Sequence, residues 1–318
     1  GMITGSSTAA VLSAGSIMAP VLALMGIDAV TSGSIIAMGA LLGMIAPPVN
    51  TAALIICAGI DVPYVGFEGP LALITFPLAI LFVLLLGYKQ ARHMDYEKLK
   101  PALEKQDAIR KQYGVRIYIP LLVLVALMVI FKVLKLGEDI GMPLMFLISA
   151  AVGLFTGKKI NVLTAVPEAI RTAAPVMGIL MGVGMFIEVM TATGVRGLVV
   201  ISCLRLPSTL WLLACAISIP LFGAVSSYGA CSVLGVPFAY IYASLLGGNS
   251  VVVLAAISLI AAVGDMMPPT ALAGLFAAQV TGVEKYTEIL KRCIVPIIIL
   301  LVYACFFLAN SKLIAGLF

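Results

Sequence analysis

Charge is what this sequence has least of. Only 10% of its 318 residues are Asp, Glu, Lys or Arg, against about 25% in an ordinary soluble domain. This scarcity excludes a soluble enzyme, a disordered tail and a nucleic-acid-binding protein with a basic surface. Hydrophobic residues instead make up 62% of the chain, and the mean hydropathy is +1.19. The composition therefore predicts a polytopic membrane protein.

Residues for metal binding and nucleophilic catalysis are also scarce. The six cysteines all lie in apolar stretches without a CxxC pair, and the one histidine, His93, lies in the most charged segment. Buried free thiols are the simplest interpretation, because cysteine packs as a small hydrophobic residue. An intramembrane hydrolase would need a nucleophile paired with a base, so we expect neither enzymatic activity nor a cofactor.

Long runs without Asp, Glu, Lys or Arg indicate the spans. The run 69–88 has 20 residues, and the run 206–264 has 59. A helix crosses the hydrocarbon core with about 20 apolar residues, so the longer run predicts segments that fold back inside the bilayer. Cytoplasmic loops are enriched in Lys and Arg. Placing the polar segment 89–116 inside, and treating 208–246 as a re-entrant hairpin, puts 14 of the 19 basic residues inside.

Two stretches of the chain resemble each other. One begins at Gly5-Ser6-Ser7 and reaches Pro47-Pro48, and the other begins at Val225-Ser226-Ser227 and reaches Pro268-Pro269. The first serine and the first proline are 41 residues apart in one copy and 42 in the other. Five predicted spans separate the copies, so they have opposite orientations in the membrane. Inverted repeats with interrupted apolar segments indicate a secondary transporter.

The diprolines carry the chemical part of this prediction. Proline lacks an N–H and clashes with the preceding helical turn, so carbonyls at 43–46 and 264–267 lose their helical partners. Bare carbonyls at membrane depth are tolerated where they line a cavity, and oxygen ligands suit a hard cation such as Na+. The structural alternative is that the prolines only kink packed helices. We predict an all-α fold with inverted repeats, two re-entrant hairpins and two Pro-Pro-interrupted helices.

Candidate site residues follow from the repeat. The predicted cation ligands are Ser6, Ser7, Gly43, Ala46 and Pro47 in the first copy, and Ser226, Gly264, Asp265 and Met267 in the second. The predicted substrate contacts are Thr8, Asn50, Thr51, Ser227 and Thr270. Asp265 is the most informative residue, since an intramembrane carboxylate indicates function by default. It is interpreted as a cation ligand or a proton carrier, with a purely structural carboxylate as the alternative.

Four segments are predicted: a first-repeat transport region at 1–88, a cytoplasmic polar loop at 89–116, scaffold helices at 117–172 and a second-repeat transport region at 173–318. The second Ser-Ser turn is preceded by a hairpin arm and further spans, and the first is not. By symmetry, roughly 80 residues or more are expected to precede Gly1.

The repeat residues resemble the large membrane subunit of tripartite ATP-independent periplasmic (TRAP) transporters, in the wider ion-transporter superfamily. The similarity is carried by 5–9, 15–20 and 42–48 in the first half and by 190–195 and 223–269 in the second. Asp265 and Tyr228-Gly229 depart from the family pattern. The resemblance implies an elevator mechanism that carries carboxylate with Na+, a small partner membrane subunit, a periplasmic substrate-binding protein and the bacterial inner membrane.

The predicted function is import of small organic anions, such as C4-dicarboxylates or sugar acids, coupled to Na+. Two alternatives within transport stay open: a stand-alone dicarboxylate or gluconate-type permease, and a proton or cation antiporter that uses Asp265 as the proton carrier. A structural or assembly subunit is the alternative from outside transport.

Overall fold

The computed structural model describes residues 1–92, 114–133, 142–156, 161–195 and 210–318, with a few isolated residues between these ranges. Most of the predicted polar loop 89–116 lies outside the described residues. Two compact units are present, one formed by Gly1–Asp95 with Val176–Phe318 and the other by Tyr96–Pro175. The described residues are helical without a β-strand, which confirms the all-α prediction. The four-segment division stays a prediction.

The helices of the first repeat are α1 (Ser7–Leu24, with a π-helical turn at Val11–Gly15), α2 (Ala29–Ile45), α3 (Thr51–Gly59) and α4 (Glu68–Ala91). A 3-10 turn at Gly114–Tyr118 is followed by α5 (Ile119–Val133), α6 (Met142–Thr156) and α7 (Val162–Ala192). The second repeat contains α8 (Trp211–Ala239, continued as a π-helix at Tyr240–Leu245), α9 (Ser250–Ala262), α10 (Leu272–Thr281), α11 (Tyr286–Ala309) and a short α12 (Ser311–Ala315).

Both diprolines interrupt helices, as predicted. Helix α2 ends at Ile45 and α3 begins at Thr51. In the second copy, α9 gives way to a 3-10 turn at Val263–Met266, and α10 begins at Leu272. Proline cannot donate to the carbonyl four residues earlier, so the helical ladder stops at the same place in both copies. Both Pro-Pro peptide bonds are cis.

The chain of α8 folds back on itself. The backbone is helical from Trp211 to Ala239, without the gap predicted between the arms at 208–222 and 230–246. However, Cys231 Sγ lies 3.9 Å from the Pro220 carbonyl oxygen, eleven residues earlier. In a straight helix these residues would be about 16 Å apart, at 1.5 Å per residue. The chain therefore reverses between them and forms a helical hairpin around the second Ser-Ser turn.

The two repeats interlock around the interrupted helices. Helix α2 packs against α4 of its own repeat and α10 of the other, and α9 packs against α11 of its own repeat and α3 of the other. Helix α9 is the centre of the core, because every residue from Val252 to Ala262 is buried. Each copy thus completes the packing of the other.

Apolar helix length and exposure are typical of a membrane protein. Among the described residues, three helices are long and apolar enough to cross a membrane: α1, α4 and α11. Helices α4 and α11 each present a row of large exposed apolar side chains, with Ile80 64% exposed and Val302 65% exposed. Such continuous apolar surface is suited to lipid or to a membrane partner.

Helix α2 begins beside the end of α4. Asp28 caps α2 by accepting a hydrogen bond from the Thr31 N–H at 2.9 Å, and the Gln90 side-chain amide donates to the same carboxylate. Partial burial disfavours the charge, but these hydrogen bonds outweigh it and hold the pKa of Asp28 below its ordinary value. The contact joins the two helices at one end of the first repeat.

Candidate functional site

Asp265 joins the two serine turns. It lies in the 3-10 turn after α9 and is fully buried. The Ser7 hydroxyl donates to its Oδ2, across 258 residues of sequence. The Tyr228 backbone N–H, next to the second Ser-Ser pair, donates to its Oδ1 at 2.9 Å. One carboxylate therefore holds the first tip and the second hairpin together.

The environment of this carboxylate favours a positive guest. Its hydrogen-bond partners are a neutral hydroxyl and a backbone N–H, and no Lys or Arg of the described residues pairs with it. Transfer of an ionised carboxylate into a protein interior costs several kcal/mol. Two hydrogen bonds to a charged group return about 1.5–3 kcal/mol each. A cation or a proton would remove the remaining cost.

Threonines hold both turns from the segments that follow the diprolines. The Thr51 hydroxyl donates to the Gly5 carbonyl oxygen at 2.6 Å. The Thr270 hydroxyl donates to the Gly223 carbonyl oxygen at 2.8 Å. Each bond links the chain after a diproline to the hairpin tip of the same repeat, so the two copies agree in contact as well as in sequence.

Glycines allow the same close approach in both copies. A Cβ placed on Gly1 would lie 2.4 Å from the Gly43 carbonyl carbon, and one placed on Gly223 would lie 2.3 Å from Gly264 Cα. Real side chains never approach backbone so closely. The segment before the first Ser-Ser turn and the tip of the second hairpin therefore each lie directly on the backbone that precedes a diproline.

The backbone carbonyls differ from the expectation in the second copy. Gly264 O accepts from the Met267 N–H at 3.1 Å, and Met267 O accepts from the Ala271 N–H at 2.8 Å. The reason is the 3-10 turn, whose bonds span three residues, so that Met267 replaces the donor that Pro268 lacks. In the first copy, the helical partners of Gly43 O and Met44 O would be the N–H groups of residues 47 and 48, and both residues are prolines without an N–H.

Other predicted residues have structural partners already. Ser6 caps α1 by accepting from the Ala9 N–H at 3.3 Å. Asn50 caps α3 through the Ala53 N–H, and its amide nitrogen donates to Ser258 Oγ at 2.9 Å. Asn50 and Ser258 are both fully buried, and they join the first repeat to α9 of the second.

Not every predicted residue is brought into these contacts. Thr8 and Pro47 are half-buried, and Ala46 is buried. The side chains of Ser226 and Ser227 lie outside the described residues. A cavity of about 360 Å³ lies toward the far end of α1, between Ser16 and Thr281, and no predicted site residue lines it.

Sequence reasoning missed three residues that the structure places at this junction. Ser258 had no signal, because a lone serine in an apolar helix is ordinary. Gly223 could have been found by its position before the second Ser-Ser pair, parallel to the glycines before the first. Tyr228 had been noted only as a departure from the family pattern, and its N–H bond to Asp265 shows that it belongs to the junction.

Two helical repeats with Pro-Pro-interrupted helices, and a polar junction buried between them, are typical of secondary membrane carriers. Residues 1–311 match the family model described as "Tripartite ATP-independent periplasmic transporter, DctM component". The chain therefore belongs to the DctM family of TRAP transporter components, as the sequence resemblance indicated. This family is a transporter component and not an enzyme class. A comparison with curated proteins found no match.

Proposed function

We propose that this chain is the large membrane subunit of a secondary transporter that imports small organic anions with Na+. The observation that carries the proposal is the Asp265 carboxylate, which is buried and has only neutral hydrogen-bond donors among the described residues. Ion-coupled transport requires an interaction whose free energy changes when the ion binds. A buried carboxylate that is hydrogen-bonded but has no cation beside it provides such an interaction.

The cation is proposed to bind at the oxygens that converge on the tips. The second site comprises Gly264, Asp265 and Met267 with Ser226, and Ser7 contributes its hydroxyl from the first repeat. The first site comprises Ser6, Gly43, Ala46 and Pro47, where the Gly43 carbonyl has no N–H donor at residue 47. Oxygen-only donor sets favour a hard cation over a soft metal.

The anion is proposed to bind between the tips, next to the bound cation. Candidate contacts are the hydroxyl and amide groups after the diprolines and at the tips, namely Thr8, Asn50, Thr51, Ser227 and Thr270. Carboxylates such as C4-dicarboxylates or sugar acids are the proposed class. Membership of the family supports a periplasmic substrate-binding protein and a small membrane subunit as partners, and the bacterial inner membrane as the location.

Counterflow in proteoliposomes tests the proposal. The chain, reconstituted with its small membrane subunit, is loaded with unlabelled succinate or gluconate, and labelled anion is added outside with its binding protein. We expect uptake in Na+ that falls to background when K+ replaces Na+. Uptake that is equal in the two salts contradicts Na+ coupling. Uptake that needs no binding protein favours a stand-alone permease.

Proton coupling is the second candidate, and complete burial of Asp265 favours it. Among the described residues, Tyr228 and Cys231 are titratable groups beside this carboxylate. In this case a pH gradient alone drives transport, and Asp265→Asn retains exchange but loses its pH dependence. Na+-driven uptake that does not respond to a pH gradient excludes this candidate.

A further inference from the structure

A second cavity, of about 350 Å³, lies where the hairpin of α8 ends. One wall is formed by the end of the hairpin and the loop before α9, with Leu246 and Gly248. The other wall is formed by the end of α11 and by α12, with Ser311, Lys312 and Leu313. Its volume is within the range of about 300–1,000 Å³ that small ligands occupy. None of the described residues of the proposed transport site lines this cavity, so it requires a separate explanation.

The charge at this cavity is positive. Lys312 lines it, and no Asp or Glu of the described residues does. Within the part of the chain that the structure describes, the Lys312 ammonium forms no ion pair. A Cβ placed on Gly247 would lie 3.7 Å from Lys312 Nζ, so the ammonium lies beside the loop before α9. A cavity with an ammonium and without a carboxylate favours an anionic ligand.

The loop beside the ammonium has no side chain at two successive positions. Gly247 has a φ of +64°, in the left-handed region that favours glycine. A Cβ placed on Gly248 would lie 2.8 Å from Ser311 Oγ, so the hydroxyl lies against the same loop. Ser311 is only 5% exposed, and its hydroxyl donates to no other described residue. An ammonium and a hydroxyl on one wall match the acceptor oxygens of a phosphate group.

The cavity also has an apolar rim at the membrane surface. Leu246 and Leu313 line it and are 44% and 76% exposed, and Leu317, four residues later, is 70% exposed. Helix α11 is long and apolar enough to cross a membrane and ends at Ala309, so the cavity lies where a spanning helix reaches the lipid headgroups. A free phosphate ester would leave these leucines in water. A ligand with an anionic head and hydrocarbon chains covers both parts of the surface.

We propose that this cavity binds the headgroup of an anionic phospholipid. Lys312 and Ser311 donate to the phosphate oxygens, and the acyl chains lie along Leu246 and Leu313. Basic pockets between membrane helices bind anionic headgroups by the same chemistry. The lipid joins the end of the hairpin to α11 and α12, and its binding does not depend on which anion or cation is transported.

The test is Lys312→Gln, measured by thermal unfolding of the purified full chain in detergent. Dioleoylphosphatidylglycerol is titrated into the micelles, and dioleoylphosphatidylcholine is the comparison without net charge. We expect the melting temperature of the wild type to rise more with phosphatidylglycerol. In Lys312→Gln, the concentration that gives half of this rise is expected to increase about fivefold, because one basic residue is lost from the site. Lys312 is exposed, so glutamine is compatible with folding.

Lys291→Gln is the matched control, because Lys291 is an exposed lysine near the opposite end of α11. It is expected to leave the response to phosphatidylglycerol unchanged. The inference is overturned if the wild type responds equally to the two lipids, if Lys312→Gln responds as the wild type does, or if Lys291→Gln loses as much as Lys312→Gln. Glycerol 3-phosphate, which has the phosphate without the chains, is expected to give no rise. A rise as large as that with phosphatidylglycerol shows a site for a free phosphate ester and overturns the assignment to lipid.

Discussion

Replacing Asp265 with asparagine removes one charge from the junction of the tips and keeps its size. The asparagine oxygen still accepts from the Tyr228 N–H. The Ser7 hydroxyl, which donates to the carboxylate in the wild type, accepts from the new amide instead. The change therefore isolates the charge from the packing. Without Na+ we expect the variant to be more stable than the wild type, and with saturating Na+ we expect this difference to shrink or to change sign.

The size of the change in the free energy of unfolding follows from the complete burial of the Asp265 carboxylate. Without a cation, the wild type bears the cost of a bare carboxylate, which is several kcal/mol before its hydrogen bonds are counted. The neutral amide avoids this cost but has weaker hydrogen bonds, so Asp265→Asn is expected to be more stable by about 1–3 kcal/mol. With Na+ at 100 times its dissociation constant, the wild type gains about 2.7 kcal/mol. This gain corresponds to roughly 5 °C or more in melting temperature.

Thermal unfolding in NaCl and in KCl at equal ionic strength measures both effects. We expect the wild type to melt at a higher temperature in NaCl, and Asp265→Asn to melt at the same temperature in the two salts. Asp61→Asn is the control, since it makes the same chemical change in an exposed loop with left-handed backbone, where asparagine is tolerated. An Asp265→Asn protein that keeps the full Na+ response would refute the assignment of a cation to this carboxylate.

Three further outcomes are expected at the junction. In a denaturation assay, Gly264→Ala should destabilise the chain by several kcal/mol, because its Cβ would meet Cys231 Sγ at 2.3 Å and Gly223 Cα at 3.2 Å. The control is Gly39→Ala, whose Cβ would have nothing within 4 Å, and which should be neutral or slightly stabilising. Asn50→Ala should cost about 1–3 kcal/mol in that assay, because it removes the α3 cap and the donor to Ser258, and an unchanged stability would contradict this accounting. Thr51→Val should remove the hydrogen bond to the Gly5 carbonyl and lower the rate of counterflow by a larger factor than it lowers the folded fraction of the protein. A rate that falls only in proportion to the folded fraction would contradict a role in transport.

The interruption of the helices could be predicted because its cause is local. Pro47-Pro48 and Pro268-Pro269 lack donors whatever surrounds them, and the structure breaks both helices there. The repeat spacing correctly placed equivalent turns and breaks in both halves. The hydrogen-bond partners of the carbonyls before the diprolines could not be predicted in the same way. A 3-10 turn satisfies Gly264 O through the Met267 N–H, and no local pattern distinguishes that turn from an open break.

The pairing of Ser7 with Asp265 also escaped prediction. Sequence symmetry assigned Ser7 to the first cation site and Asp265 to the second, because each belongs to a different copy. The structure brings them together across 258 residues. Likewise, Asn50 was predicted to contact the substrate, and no pattern in the sequence predicted that its amide also donates to Ser258 on the other repeat.

The amino-acid sequence by itself determined that this is a helical membrane protein, that it contains two similar stretches and where its helices break. Those properties depend on hydropathy, on charge distribution and on proline, which act over a few residues or one span. Only the tertiary structure decided which oxygens meet, because helices α2 and α9 each pack against the second half of the other repeat. That exchange places a carboxylate from one copy against a hydroxyl from the other, and such a contact between distant segments has no local signature.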